Sequence, residues 1–214
     1  MSLERVQEEF ILNAGNHTVF VETEIERANG DTDCVTGTGF FVSENLILTA
    51  KHNVMPENGK VTRIAIKYEG VKVVKPTDAT FACELVDVMP STDPATYSPL
   101  EDLAILSCPA HYCPRFLPLS TDKLDKGMLV RVIGYPGEVT EEWLATRHPS
   151  LKGDPKSNVD FAQKLLPHRT LTVTEGGISD IVRGCATYEI STVPGMSGGC
   201  LLHEGKVCGM PPSV

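Results

Sequence analysis

Pro194-Gly195-Met196-Ser197-Gly198-Gly199 is the stretch on which the reading of this chain turns. A serine held between glycines can present its hydroxyl from a tight turn, but a hydroxyl is a poor nucleophile near neutral pH. It needs an imidazole to take its proton and a carboxylate to hold that imidazole in the right tautomer. Both stand upstream. His52 closes the apolar run Leu46-Ile47-Leu48-Thr49-Ala50-Lys51-His52, and Asp102 opens Glu101-Asp102-Leu103-Ala104-Ile105-Leu106. Taken singly, His52 reads as a core histidine at a strand end, Asp102 as a strand opener and Ser197 as a turn residue. Found in the order His, Asp, Ser, each beside a strand-like segment, they read as one constellation.

Two further segments accompany these, Gly37-Thr38-Gly39-Phe40-Phe41-Val42 ahead of Thr49-Ala50-Lys51-His52, and Val132-Ile133-Gly134-Tyr135-Pro136-Gly137 ahead of the serine. Together these motifs resemble the trypsin-fold serine peptidases, whose chain order differs from that of subtilisins and α/β-hydrolases. The Gly-Tyr-Pro-Gly and Pro-Gly-x-Ser-Gly segments are most similar to the glutamyl-endopeptidase and high-temperature-requirement branch, and the similarity runs over roughly residues 17–210. The resemblance implies an all-β, chymotrypsin-like fold of two six-stranded antiparallel β-barrels. It also implies a serine endopeptidase acting on polypeptides through an acyl-enzyme on Ser197, with His52 as base and Asp102 as its orienter. The backbone N–H groups of Gly195 and Ser197 would hold the oxyanion, and no metal or cofactor is called for. The alternative is a catalytically silent module of the same fold that binds extended peptides or a partner protein.

Alternating apolar segments suggest strands over 19–25, 40–43, 46–50, 62–68, 81–88 and 103–107, enough for a first barrel over 17–109. A connector at 110–126 leads to a second barrel over 127–214, with strands expected over 128–135, 171–175, 178–190, 199–203 and 206–210. That set is short of a closed barrel. Between 138 and 168 the pattern changes, with Trp143 and Leu144, then Phe161, Ala162, Leu165 and Leu166, spaced as short amphipathic helices. Such an insertion either shapes access to the cleft or merely covers the barrel.

A chain of 214 residues suits one such domain, and its 18 Gly and 15 Pro suit many tight turns. The net charge of −9, with no basic stripe, argues against nucleic acid. No run approaches the roughly 18 apolar residues of a membrane helix. The opening Met1-Ser2-Leu3-Glu4-Arg5-Val6-Gln7-Glu8-Glu9-Phe10 lacks the apolar stretch of a secretory signal, so an intracellular, cytoplasmic setting is expected. Cysteine usage agrees: seven is an odd count, and Asn53 and Gly37 stand where secreted trypsins carry the bridge beside the histidine. Cys108, His111, Cys113 and Cys185 are too loosely spaced for a structural zinc site and read as packed or surface thiols, as do Cys200 and Cys208 near His203.

Side-chain preference is partly legible from the resemblance. Trypsins place an Asp six residues before the nucleophile to receive a basic side chain, and Ser191 stands at that offset. Glutamate-specific relatives use a hydroxyl five residues before, matched by Thr192, with a His soon after the Gly of the next strand. Here Gly209 is followed by Met210, Pro211 and Pro212. Ser191 and Thr192 are therefore the expected substrate-binding residues, and an uncharged side chain the expected substrate. Met196 replaces the Asp that pairs with a newly cleaved amino terminus in trypsins, so the loop must form without that ion pair. Proline lacks the N–H that pairing with substrate backbone needs, and the end at Val214 is expected to leave an open edge in the second barrel.

Overall fold

In β1 (Thr18–Glu26), successive side chains point to opposite faces, and both faces are buried. Val19 and Val21 enter one core, while Phe20 enters another. The same division occurs in β2 (Thr32–Phe41), where Phe41 joins the first core and Phe40 the second. These strands thus form the wall of one barrel and the surface on which a second lobe packs. The computed structural model describes residues 15–57, 59–67, 80–90, 101–110, 113, 116–182, 185–190 and 192–211.

The first barrel is closed in the order β1-β2-β3-β6-β5-β4 and antiparallel throughout. Its remaining strands are β3 (Leu46–Thr49), β4 (Lys60–Lys67), β5 (Phe81–Val88) and β6 (Ala104–Ser107). Between β3 and β4 lies one short helical turn, α1 (Lys51–Val54). The second lobe is a half-barrel, a five-stranded sheet in the order β11-β10-β7-β8-β9. It comprises β7 (Leu129–Gly134), β8 (Thr172–Val182), β9 (Cys185–Tyr188), β10 (Cys200–His203) and β11 (Lys206–Gly209).

Three strand expectations need correction. β2 begins at Thr32 rather than 40, because its polar first half is paired along its length with β1 from Thr18↔Phe40 to Glu26↔Thr32. Separate strands are expected over 171–175 and 178–190, yet β8 runs straight through Gly176-Gly177 to Val182, and β9 pairs back on it antiparallel. A side chain at Gly176 would stand 2.2 Å from the Glu189 carbonyl oxygen, so glycine is there to admit the returning backbone. The outer edge of β11 is not bare either. The connector supplies Val207 N–H to Pro118 O at 2.8 Å, Ser120 N–H to Val207 O at 2.7 Å and a parallel bridge at Leu119.

The 138–168 segment forms two helices, α2 (Glu141–Arg147) and α3 (Pro155–Leu165). Each starts on a side-chain cap: the Thr140 hydroxyl accepts from Trp143 N–H at 3.1 Å, and the Asp154 carboxylate accepts from Ser157 N–H at 2.9 Å, with Pro155 opening α3. Leu144 and Leu166 are buried with Val130, Val132, Ile178 and Met196, so the helix pair covers the face that a closed barrel would enclose. Between the lobes, Phe20 and Tyr135 meet edge to face at 5.9 Å, and the Arg169 guanidinium lies 4.5 Å from the centre of the Phe20 ring. Among the described residues, no helix is long and apolar enough to cross a membrane.

No disulfide joins any of the seven cysteines. Cys83 and Cys108 share the first core, where the hydrogen bond between them and then burial push the Cys83 thiol far above its usual range. Burial pushes Cys200 up to about 12. Since the thiolate is the reactive form, these groups should resist alkylation in the native state. Mass spectrometry after brief native alkylation should find exposed Cys34 modified first and Cys83, Cys108, Cys113 and Cys200 only on unfolding; a reductant should leave the melting temperature unchanged.

Candidate active site

His52 is the second residue of α1, and Ala50, which stands at the N-cap before it, supplies no side-chain cap. The orphan N–H groups of that turn must be met from elsewhere. Asp102, brought alongside by the β3–β6 pairing, meets the one on His52: its Oδ1 accepts from His52 N–H at 3.0 Å. Its Oδ2 lies 2.7 Å from His52 Nδ1. One carboxylate, 5% exposed, therefore fixes both the backbone and the ring of the histidine, leaving the far edge of the imidazole toward the partly open side. A buried anion with two charge-assisted partners holds a defined orientation and selects the Nδ1–H tautomer.

Ser197 lies in a turn closed by Met196 N–H to Val193 O at 3.2 Å and Gly199 N–H to Met196 O at 3.1 Å. Gly195 and Gly198 have φ of +85° and +82°, a region that disfavours side chains, and both are crowded. A Cβ on Gly195 would come within 2.4 Å of Gly137 N, and one on Gly198 within 2.6 Å of Ala50 N. The N–H groups expected to hold an oxyanion, those of Gly195 and Ser197, belong to this turn. Met196 is fully buried in a third core, with Val130, Val132 and Leu201, and Ser197 is 4% exposed.

The turn is strapped to the histidine-bearing lobe. Ser197 O accepts from Thr38 N–H of β2 at 3.0 Å and from the Asn53 side-chain amide of α1 at 2.8 Å. His52, Asp102 and the Ser197 turn are thus gathered at one seam between the lobes. Thr192 precedes Val193 on the approach to the turn and lines a groove beside it, whereas Ser191 falls outside the described residues.

The family model of the trypsin-like peptidase domain matches residues 37–210. The chain belongs to that family. No curated protein matches the sequence. Among solved structures, the active form of the Rv3671c protease from M. tuberculosis is similar at 19% identity and a TM-score of 0.59, covering 98% of this chain and 75% of that one. Its inactive form gives 18%, 0.56, 98% and 82%. A serine-to-alanine mutant of Rv3671c from M. tuberculosis H37Rv, also in an inactive form, gives 18%, 0.59, 98% and 83%. At these identities the likeness is one of fold.

As a trypsin-like peptidase domain, the chain has site residues that pattern reading overlooks. Thr38 is fully buried: its hydroxyl donates to Gly195 O at 2.7 Å and accepts from Tyr135 N–H at 2.8 Å, while its carbonyl accepts from the Thr49 hydroxyl at 2.7 Å. The signal was available, since a threonine between two glycines directly before the apolar run Phe40-Phe41-Val42 must find partners for its hydroxyl if the run is buried. Of the loosely spaced thiols, Cys108 and Cys113 lie in the first core and Cys185 opens β9, while His111 falls outside the described residues.

Thr38→Val keeps the shape and leaves Tyr135 N–H and Gly195 O short of a partner. Its urea midpoint should fall by the equivalent of about 1–3 kcal/mol. Thr38→Ser should recover most of that loss.

Proposed function

We propose that this trypsin-like peptidase domain is a serine endopeptidase. Ser197 Oγ attacks the scissile carbonyl carbon and passes its proton to His52 Nε2. The resulting oxyanion is held by Gly195 and Ser197 N–H. His52 then gives the proton to the departing amine, and the acyl-enzyme is released by water activated at the same imidazole. Asp102 stays ionised and steadies the imidazolium. The observation that carries the reading is the double attachment of Asp102 to His52 at 2.7 and 3.0 Å, beside a turn that delivers Ser197. Met196 in place of an activating acid supports a position near the glutamyl-endopeptidase and high-temperature-requirement branch. A reducing, intracellular setting is supported by the absence of any disulfide.

The substrate side chain is read as uncharged and apolar. Support comes from a groove of about 810 Å³ between the helix pair and the residues leading to the Ser197 turn. Its walls include Trp143, Phe161, Leu165, Tyr188, Ile190 and Val193. Phe161 and Leu165 are 65% and 62% exposed, an apolar surface left uncovered at the side of the groove.

Ser197→Ala and His52→Ala should each abolish peptide hydrolysis and labelling by a fluorophosphonate, with stability changed by about 1 kcal/mol or less. Wild-type turnover in either variant would end the triad assignment, whereas an unreactive wild-type protein that still binds peptides would favour the silent module. Phe161→Asp, on an exposed position, should leave the melting temperature in place. It should raise KM for peptides with a large apolar side chain about tenfold, the equivalent of about 1.4 kcal/mol of lost burial.

A further inference from the structure

Asn53 follows His52 in α1 and is 1% exposed, a burial that an amide tolerates only when its polar atoms are paired. Its Nδ2 donates to Ser197 O at 2.8 Å and to the Thr49 hydroxyl at 3.2 Å. The Thr49 hydroxyl passes the chain on to Thr38 O at 2.7 Å. Thr38 N–H in turn meets Ser197 O at 3.0 Å. The ring of contacts closes on one atom, the carbonyl oxygen of the candidate nucleophile. Because a carbonyl only accepts, the nitrogen side of the amide must face it, and an isosteric carboxylate would repel it.

The amide occupies a site prepared for it. A Cβ built on Gly37 would meet Asn53 Nδ2, Cγ and Oδ1 at 2.2, 2.3 and 2.4 Å, and these are its three nearest neighbours. Gly37 therefore has no side chain because Asn53 fills that volume from the facing element. The side chain joins β2, α1 and the Ser197 turn.

We propose that Asn53 is a positioning residue for the reaction, an uncharged clamp that holds Ser197 in register with the adjacent His52. The inference rests on the triad reading above. It goes beyond that reading by assigning the alignment of base and nucleophile to an amide that touches neither the reacting atoms nor the substrate. A displacement of about 1 Å between catalytic groups costs on the order of 100-fold in rate, so loss of the clamp acts on kcat.

The test compares wild type, Asn53→Ala, Asn53→Asp and the pair Gly37→Cys with Asn53→Cys. Each is assayed for kcat, KM and fluorophosphonate labelling of Ser197, per folded molecule by circular dichroism. The alanine and aspartate variants should lose at least tenfold in kcat and labelling rate, aspartate more, with KM within twofold of wild type. In the paired variant the contact at 2.3 Å bounds the Cβ–Cβ separation at about 3.8 Å, within disulfide range. Oxidised glutathione should therefore close the bridge and restore kcat, dithiothreitol should remove it again, and wild type should respond to neither. Wild-type kcat in both single variants, a loss carried by KM alone, or a closed bridge that leaves kcat low would each overturn the clamp while the triad stands. A wild-type protein that neither labels nor hydrolyses peptides would overturn the triad, and the clamp with it. If Asn53→Asp fails to fold, the alanine variant and the redox pair decide the matter.

Discussion

The carbonyl oxygen of Ser197 is the point at which the two lobes are tied. It accepts from the Thr38 backbone of the first barrel and from the Asn53 side chain of α1, while the turn that carries it grows from the second lobe. Around it the Thr38 hydroxyl bridges Gly195 O and Tyr135 N–H, so the serine turn and the segment that follows β7 are both held by one first-barrel residue. These bonds are out of water, where an unmade partner costs the full desolvation of the group. The apolar contact of Phe20 and Phe40 with Tyr135 and Ile133 supplies the bulk of the adhesion between lobes, but it is non-directional. The polar ring sets the register, and with it where Ser197 stands relative to His52.

Most of this was legible where a residue has only one job. The apolar alternation of 81–88 corresponds directly to β5, and the helical spacing of 138–168 to α2 and α3. The His52–Asp102 pairing follows from β3 lying beside β6, and the motifs beside those strands carry it. Failures occur where a residue's meaning depends on a partner distant in sequence. The first half of β2 is polar because one of its faces meets solvent, so no apolar run advertises it. Gly176-Gly177 interrupts the apolar pattern, and only the approach of Glu189, just past β9, shows why glycine stands inside one continuous strand. The parts played by Thr38 and Asn53 depend on hydrogen-bond partners more than a hundred residues away.

The helix pair follows from the same physics as the sheet it covers. A five-stranded sheet that does not close leaves Val130, Val132 and Leu201 facing outward, a surface that a barrel would enclose. Leu144 and Leu166 cover it, at the expense of a groove rimmed by Phe161 and Leu165, which the core has no room to take. The insertion therefore covers the half-barrel and also walls a groove that reaches as far as Thr192 and Val193.

Glycine at position 37 illustrates how an absence of side chain can be a packing statement. Its backbone does not adopt the left-handed conformation that distinguishes Gly195 and Gly198, so dihedral freedom does not explain it. Volume does: the space belongs to Asn53, which needs it to reach Ser197 O and Thr49. Any side chain at 37 would expel the amide, and loss of the amide would leave a gap over Gly37. The two positions can change only together, either as a hydrogen-bonded amide over glycine or as a pair that spans the gap covalently. In a chain whose seven cysteines form no disulfide, the first solution keeps the histidine turn and the serine turn in step without depending on the redox state around them.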